Sequence, residues 1–513
     1  MSDEAVTAAK GTTAMMGQAA FSGFLRVLNL AILTRLLLQS DMGVIAFLGI
    51  FYGYMQFLGT LGLSHASPLI VPEEEANGNP GRVKGFLRSS VGLIIISTIG
   101  MVALVIILSP FLTIGSGISP DLISFIAIVA PFSALEAFLD SFLLARYTIK
   151  KLLFGRVAFD VTRIVGTVGL VLVGTGVFGV VAGWMLAEMV AVFVFGIAAV
   201  RGLQISSASI PMKPILAFAL PNLVFQAIDV TIQNTDRLIL LHITDLASLG
   251  VYDVFLRVLY MLSLVSLTIA SAIYPLLTRF RLKLENQENR KIDMGDAITH
   301  LVRYILMLLV PLAVIVALNP YVILEILFGA QYAAYPNATL AFSLLIIAYA
   351  LWGVIYGVHM SLRAMGEAKF FVVAGLGIIA FEFIGCWYLT SALGLLGAAV
   401  ARVLYIFVLF LASWGRLIQK GVTGLSSILG SLLRIGAASI LSGALVFLLA
   451  PTSLIELIVY FGLASGLYFL LLFLFREVRT LDFTIVRSVL PERMHWLVEK
   501  IESRYLPRSG KSS

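Results

Sequence analysis

Apolar stretches of about 20 residues follow one another along almost the whole chain, separated by short polar segments. Folded as an α-helix, such a stretch is long enough to cross the hydrocarbon core of a membrane. Charged residues make up only 12% of the 513 residues, whereas a soluble domain carries about 25%. The sequence therefore predicts an all-α integral membrane protein, and it leaves no room for a separate soluble enzyme domain.

The hydropathy pattern predicts about fourteen transmembrane helices, each at least long enough for one crossing. Their approximate spans are 14–38, 43–66, 89–112, 121–145, 156–174, 178–200, 214–240, 247–275, 298–318, 337–361, 369–390, 394–415, 428–450 and 454–475.

Basic residues are concentrated in alternate loops. Of the 35 Lys and Arg residues, 27 lie in segments that would face one side, whereas Gln39–Met42, Thr113–Pro120 and Asn319–Pro336 hold none. Short loops rich in Lys and Arg stay on the cytoplasmic side. We therefore predict a multi-pass plasma-membrane protein with both termini in the cytoplasm. Because this asymmetry places the basic residues at the membrane surface, the net charge of +7 does not indicate a nucleic-acid partner.

Two parts of the sequence repeat a common pattern. Gly43 is followed by Pro68 after 25 residues, and Gly250 is followed by Pro275 at the same distance. In transporters, repeats of this kind place the substrate site between two lobes, and access alternates as the lobes rock. The predicted domains are six-helix lobes at 1–205 and 206–420, two additional helices at 421–475 and a basic amphipathic cytoplasmic tail at 476–513.

The predicted helix at 214–240 carries a stripe of polar residues. Their spacing of three and four residues places them on one face of the helix. Each polar group in hydrocarbon costs free energy unless it finds a partner or water. The stripe is therefore expected to line a wet cavity, and the alternative is that it hydrogen-bonds neighbouring helices. Its members are Asn222, Gln226, Asp229, Gln233 and Asp236, followed at once by Arg237.

Arginines near the middle of a span are expected to line the cavity. A charge at that depth costs about 2.5 kcal/mol or more. Arg26 and Arg257 lie near mid-span, and Arg26 belongs to a second polar stripe that also contains Asn29. Asp253 precedes Arg257 by one helical turn, so an ion pair between them is the structural alternative. Arg402 lies about eight residues into its span, and Arg35 and Arg237 precede loops on the outer side.

Three other arginines inside spans lie close to a cytoplasmic end. We expect Arg163, Arg303 and Arg434 to extend their side chains to the membrane surface. Asp160 lies three residues before Arg163 and is expected to pair with it. Glu136 and Asp140 share a helix face one turn apart, which makes them a candidate proton site, and the alternative is that they pack against partners on other helices.

Motifs for metal, nucleotide or disulfide chemistry are missing from the sequence. The single cysteine, Cys386, lies in an apolar run, and the five histidines show no metal-ligand spacing. The glycine-rich segments 166–183 and 375–397 follow no strand, so they predict close helix packing and not phosphate loops. We expect no metal and no cofactor, with transport coupled to protons, sodium or the membrane potential.

Short motifs in a fixed order resemble a known family. They are Ala219-Leu220-Pro221, Asp236-Arg237, Leu249-Gly250-Val251-Tyr252, Tyr274-Pro275, Leu327-Phe328-Gly329, Arg363-Ala364-Met365-Gly366 and Gly394-Leu395-Leu396-Gly397-Ala398-Ala399. Each motif is weak alone, but their order and spacing resemble the polysaccharide transporter family of the multidrug/oligosaccharidyl-lipid/polysaccharide (MOP) exporter superfamily. This family contains flippases for O antigen and lipid-linked oligosaccharides. The resemblance covers nearly the whole chain. The Arg26-Val27-Leu28 run also resembles the first helix of lipid II flippases in the same superfamily.

The resemblance implies export of a lipid-linked oligosaccharide, carried on a polyprenyl or dolichyl phosphate or pyrophosphate, from the inner to the outer leaflet. Membrane lipids and glycan-assembly enzymes are the other candidate partners. Arginines bind phosphate with charged hydrogen bonds, and amides and carboxylates suit sugar hydroxyls. The predicted substrate-binding residues are Arg26, Asn29, Arg35, Gln226, Asp229, Gln233, Asp236, Arg237, Asp253, Arg257 and Arg402.

Two other functions fit a chain of this kind. A cation-coupled multidrug antiporter on the same fold would prefer a cavity of carboxylates and aromatics, and Asp229 and Asp236 keep that alternative open. A membrane scaffold without transport would carry its intramembrane charges as a stability cost without a use. Fold alone does not decide among these functions.

The predicted topology is testable by cysteine labelling in a Cys386→Ala background. A membrane-impermeant maleimide added to intact cells should label Ser119→Cys in a predicted outer loop. It should leave Glu74→Cys, on the predicted cytoplasmic side, unlabelled until the cells are opened. Labelling of Glu74→Cys in intact cells would reverse the predicted orientation.

Overall fold

The fold is entirely helical in the part of the chain that the structure describes. A computed structural model describes residues 2–113, 117–201, 203, 210–261, 266, 290–365, 367–420, 425–479, 482–483, 496, 499 and 502. Every regular element among these residues is a helix, and none is a strand. The prediction of an all-α integral membrane protein is confirmed. The predicted basic amphipathic tail at 476–513 lies mostly outside the described residues.

Serine side chains cap the N-termini of two helices. Ser119 accepts a hydrogen bond from the Asp121 N–H at 3.2 Å, and Ser453 accepts one from the Glu456 N–H at 3.2 Å. The helices are α1 (Ser2–Leu36), α2 (Gln39–Gly59), α3 (Leu63–Ala76), α4 (Pro80–Leu112), α5 (Pro120–Ala145), α6 (Ile149–Leu172), α7 (Gly176–Val200), α8 (Met212–Ile243), α9 (246–261), α10 (Arg290–Leu318), α11 (Pro320–Phe328), α12 (Ala330–Ala333), α13 (Ala338–Ala364), α14 (Ala368–Leu393), α15 (Leu395–Gln419), α16 (Leu425–Leu449) and α17 (Leu454–Leu474).

Twelve helical segments in the described part are long and apolar enough to cross a membrane. They account for all but two of the predicted spans. One of these two falls on α6, which has 24 residues but carries five charged side chains. The other, 247–275, continues past Met261 into residues outside the description. The protein is therefore a multi-pass membrane protein, while the count of fourteen spans stays a prediction.

The chain divides into two compact units. The first comprises Met1–Met261, Leu327–Ala341 and Ala368–Leu409, and the second comprises Leu262–Ile326, Phe342–Glu367 and Phe410–Ser513. These units do not follow the sequence repeat. The lobes at 1–205 and 206–420 stay a prediction.

Close packing between α6 and α7 confirms the structural interpretation of the first glycine-rich segment. A β-carbon added to Gly183 would lie 2.5 Å from the Thr167 nitrogen, and one on Gly166 would lie 3.2 Å from the Gly183 α-carbon. Lipid chains are as apolar as leucine, so helices in a membrane associate mainly through van der Waals packing and polar contacts. Small residues permit that packing because they let the two backbones approach.

The repeated glycines of the sequence lie against each other in the first unit. A β-carbon on Gly43 of α2 would overlap the carbonyl of Leu246 and lie 3.0 Å from its α-carbon. A β-carbon on Gly250 of α9 would overlap the carbonyl of Gln39 and lie 2.7 Å from the Gly43 nitrogen. The first turns of α2 and α9 thus cross at backbone contact. Gln331 lies beside this crossing. Its side-chain amide donates to the Thr34 backbone carbonyl at 2.8 Å, and its backbone carbonyl accepts from the Gln39 side-chain amide at 2.7 Å.

In the second unit, an arginine of α10 binds the segment that follows α17. Arg303 donates to Glu477 at 2.7 Å and to both oxygens of Asp482, at 2.9 and 2.7 Å. Burial raises the pKa of Asp482, but the hydrogen bonds from Arg303 and neighbouring donors outweigh it and lower that pKa. The prediction that Arg303 reaches the membrane surface is wrong, since its side chain is only 1% exposed. Two carboxylates neutralise it inside the protein instead.

The glycine crossing of α2 and α9 predicts a position-specific effect of alanine. Gly43→Ala should lower the thermal unfolding midpoint in detergent, because forcing an extra carbon into a tight contact costs about 1–3 kcal/mol. Gly53→Ala on the same helix is the matched control, since a β-carbon there meets nothing within 4 Å. That variant should be neutral or stabilising, by up to about 1 kcal/mol. Equal midpoints for the two variants would contradict the contact.

Candidate functional site

The polar stripe lies on the continuous helix α8, as predicted, but its side chains make different kinds of contact. Asn222 donates to the Phe218 carbonyl of its own helix at 2.9 Å. Gln233 donates to Asp229, which is exposed, at 2.8 Å. The Gln226 side-chain oxygen is buried without a hydrogen-bond partner in the described part of the chain. The stripe therefore splits into locally satisfied groups, one unsatisfied amide oxygen and Asp236.

The Asp236 cluster consists of Asp236, Tyr252 and Arg402 and joins α8, α9 and α15. Arg402 donates to the two Asp236 oxygens at 2.5 and 2.8 Å, and Tyr252 donates its hydroxyl to the same carboxylate. Arg402 also donates to the Gln233 carbonyl at 3.0 Å. Both charged residues are buried, with Asp236 at 0% and Arg402 at 3% exposure. A two-point guanidinium–carboxylate pair with an extra hydroxyl donor is well satisfied, so this cluster fixes three helices relative to one another.

The Asp253 cluster consists of Asp253, Arg237 and Arg257. Arg257 donates from Nε to Asp253 at 2.5 Å, and the Arg237 Nε lies 3.3 Å from the other oxygen. The ion pair between Asp253 and Arg257, given above as the structural alternative to a cavity role for Arg257, is present. Two arginines share one buried carboxylate, so the cluster carries one excess positive charge. The Arg257 side chain is 32% exposed, which leaves part of its guanidinium accessible.

The Asp160 cluster consists of Ser22, Arg26 and Asp160 and joins α1 to α6. Ser22 donates its hydroxyl to Asp160, and the Arg26 Nε lies 3.9 Å from the other carboxylate oxygen. The Arg26 side chain is 59% exposed, so this ion pair is loose. The predicted pair between Asp160 and Arg163 is wrong, because Asp160 is occupied by groups from α1.

Arg163, which was predicted to reach the membrane surface, lies three residues after Asp160 on α6 and contacts two aromatic rings. Its guanidinium carbon lies 5.1 Å from the ring centroid of Trp184 and 5.8 Å from that of Phe159. A guanidinium over an aromatic face is attracted by the ring quadrupole. Fourteen residues of α6 precede Arg163, about 21 Å of helix at 1.5 Å per residue. The aromatic pocket therefore replaces the expected reach toward water.

The remaining predicted residues of α1 are close to α6 or exposed. The Asn29 side chain accepts a hydrogen bond from Thr167 of α6 at 2.9 Å. Arg35 is exposed near the end of α1. Asn29 thus has a helix-packing contact, and the role of both residues in substrate binding stays a prediction.

Two buried glutamates were not among the predicted site residues. Glu188 of α7 accepts a hydrogen bond from Tyr52, and its second oxygen is buried without a partner among the described residues. Glu382 of α14 is 1% exposed, and neither of its oxygens has a hydrogen bond in the described part. Tyr52 and Tyr252 were also missed, since a tyrosine in an apolar span gives no sequence signal for its hydroxyl partner.

Comparisons with known proteins identify the family of this chain. Residues 32–337 match the family described as polysaccharide biosynthesis protein. The chain belongs to that family. No curated protein sequence matches the chain.

Solved structures of three transporters share the fold. A lipid II flippase MurJ in an inward closed conformation aligns with a TM-score of 0.67 and 17% identity, over 90% of this chain and 98% of that one. An inward-facing multidrug resistance MATE transporter of the MOP superfamily gives 0.65 and 14%, over 78% and 95%. A MOP transporter from Pyrococcus furiosus, described as having a binding pocket of reversed polarity, gives 0.57 and 14%, over 80% and 96%. At these identities the likeness concerns the fold.

The Asp236 cluster predicts different effects for two aspartates of α8. Asp236→Asn should lower the thermal unfolding midpoint strongly, because a buried arginine left without its carboxylate costs about 3–5 kcal/mol. Asp229→Asn makes the same chemical change at an exposed position and should shift stability by about 0.5 kcal/mol or less. Thermal unfolding in one detergent measures both. Similar midpoints for the two variants would show that the Arg402 pair does not hold the helices together.

Proposed function

We propose that this protein is a flippase that moves a lipid-linked oligosaccharide from the cytoplasmic to the outer leaflet of the plasma membrane. The observation that carries the proposal is the excess positive charge of the Asp253 cluster, in a member of the polysaccharide biosynthesis family. The carrier headgroup would be a polyprenyl or dolichyl phosphate or pyrophosphate. Transport of this kind breaks no covalent bond in the substrate.

Charge complementarity supports an anionic substrate. Arg257 competes with Arg237 for Asp253, and Arg26 lies 3.9 Å from Asp160 with most of its side chain exposed. Arg26 is held loosely, and Arg257 uses only its Nε on Asp253, so both have guanidinium donors left for charged, two-point hydrogen bonds with a phosphate. By contrast, the Arg402 guanidinium already has such a partner in Asp236. We propose Arg26 and Arg257 as the principal phosphate contacts.

The other predicted site residues are proposed to contact the sugar or to hold the helices around the site in place. Gln233 and Asp229 present an amide and a carboxylate at a partly exposed face of α8, which suits sugar hydroxyls. The full proposed set also includes Asn29, Arg35, Gln226, Asp236, Arg237, Asp253 and Arg402.

Movement of an anion outward is favoured by the membrane potential. An inside-negative potential contributes about 2.3 kcal/mol per charge per 100 mV. Alternating access would expose the arginines first to the cytoplasm and then to the outside, with both termini in the cytoplasm. A proton or sodium ion moving inward would add to this driving force, and Asp229, Asp236 and Glu136 are its candidate sites.

A multidrug antiporter for cationic substrates is less consistent with the site. The carboxylates Asp236, Asp253 and Asp160 all face arginines already. A lipophilic cation would have to displace a guanidinium to reach any of them, and the excess charge of the Asp253 cluster would repel it.

Arg26→Ala and Arg257→Ala should each abolish export of the lipid-linked glycan in intact cells while the protein stays inserted and folded. The physical reason is loss of a charged phosphate contact in surroundings where water does not replace it. Arg201→Ala, an exposed arginine after α7, is the matched control and should export normally. Normal export by both site variants would contradict the arginine site.

Thermal unfolding of the purified protein distinguishes the two substrate classes. Polyprenyl phosphates and pyrophosphates, with and without sugar, should raise the midpoint, since a ligand at a hundred times its Kd stabilises by about 2.7 kcal/mol. A neutral polyprenol controls for nonspecific lipid effects, and Arg257→Ala should remove the specific shift. Stabilisation by lipophilic cations alone would favour the drug antiporter.

A further inference from the structure

We infer that Arg163 is an additional anion-binding residue, and that it contacts the phosphate of the substrate headgroup together with Arg257. This inference rests on the proposed function and identifies a residue that the predicted site did not contain. It follows from three observations, which concern the partners of Arg163, its aromatic surroundings and the positions of neighbouring charges.

Arg163 differs from the neighbouring arginines in lacking a carboxylate partner. Arg26, Arg237, Arg257 and Arg402 each have a carboxylate oxygen within 4 Å. In the part of the chain that the structure describes, the Arg163 guanidinium makes no ion pair and donates no hydrogen bond. A charge inside an apolar helix bundle costs free energy unless something neutralises it. The side chain is half-buried, so part of it is accessible.

The aromatic contacts fix the guanidinium without using its donors. Arg163 lies over Trp184, which is 4% exposed and packs against Tyr52 with ring centroids 5.7 Å apart. A cation over an indole face is attracted through the ring, while the N–H groups point outward from the guanidinium edge. An arginine held in this way loses little conformational freedom when it binds a phosphate. Trp184 is therefore a positioning residue for Arg163.

Arg257 lies beside the same indole. A β-carbon built on Gly49 of α2 would lie 3.4 Å from the Arg257 Nη2 and 3.8 Å from the Trp184 Cη2. Two guanidinium groups near one indole ring repel each other, and a bound anion would relieve that repulsion. Glu188 lies one turn from Trp184, but one of its oxygens accepts from Tyr52 and the other has no hydrogen-bond partner among the described residues.

The experiment measures the affinity of the purified full-length protein for farnesyl diphosphate, with farnesol as the uncharged control. Arg163→Gln should weaken diphosphate binding about tenfold to a hundredfold, as expected for one charge-assisted contact. Arg163→Lys keeps the charge but not the planar donors and should fall in between. Arg201→Gln makes the same charge change outside the site and should bind like the wild type.

A second variant separates binding from folding. Trp184→Leu keeps Arg163 but removes its aromatic support, and it should weaken binding with a smaller effect than Arg163→Gln. Wild-type affinity in folded Arg163→Gln and Trp184→Leu proteins would overturn the inference. That result, together with weak binding by Arg257→Ala, would leave the proposed function intact.

The experiment distinguishes failure of the proposed anionic substrate from failure of the role inferred for Arg163. If the wild-type protein binds farnesyl diphosphate no better than farnesol, the proposed anionic substrate falls, and the role of Arg163 falls with it. If Arg163→Gln lowers the unfolding midpoint while its diphosphate affinity is unchanged, Arg163 only balances the charge of Glu188. The same affinity loss in Glu188→Gln and Arg163→Gln would also favour that structural role and overturn the inference.

Discussion

A guanidinium inside an apolar helix bundle needs a carboxylate, an aromatic face or an anion, and this requirement governs the polar contacts of the first unit. Where water does not reach the charge, an arginine is stable only if the protein or a ligand supplies a partner. Asp236 meets the requirement for Arg402, and Trp184 partly meets it for Arg163. Each of these contacts also joins two different helices, α8 with α15 and α6 with α7, so neutralisation and helix packing are achieved together.

The arginines differ in how completely a carboxylate neutralises them: Arg402 holds helices together, whereas Arg257 and Arg26 are proposed to contact the substrate. Arg402 is 3% exposed and bound at two points, whereas the Arg257 and Arg26 side chains are 32% and 59% exposed and share or barely reach a carboxylate. A fully satisfied buried pair resists exchange, because removing one partner leaves the other charge buried. An arginine that shares its carboxylate, or that lies at the edge of ion-pair distance from it, has guanidinium donors left for another anion. The proposed transport of an anionic headgroup would use such donors, since the protein must bind the substrate and release it again.

Backbone contacts set the distances between these charges. The crossing of α2 and α9 at Gly43 and Gly250 brings α9, which carries Asp253 and Arg257, close to α2. The crossing of α6 and α7 at Gly183 brings Arg163 within reach of Trp184. Larger residues at these glycines would separate the helices and the charged groups with them. The distances between the charged groups therefore depend on the close packing of these helices.

The sequence by itself determined the helical class, most of the spans, the helix of the polar stripe and the pair between Asp253 and Arg257. These features depend on hydropathy and on helical periodicity, which are local properties of the chain. Only the tertiary structure decided that Asp160 binds α1 and not Arg163, that Arg303 is buried, and that Arg402 pairs with Asp236. Those partners lie more than a hundred residues apart, and which arginine reaches a given carboxylate depends on how the helices cross. Helix crossing is a property of packing that no local pattern contains.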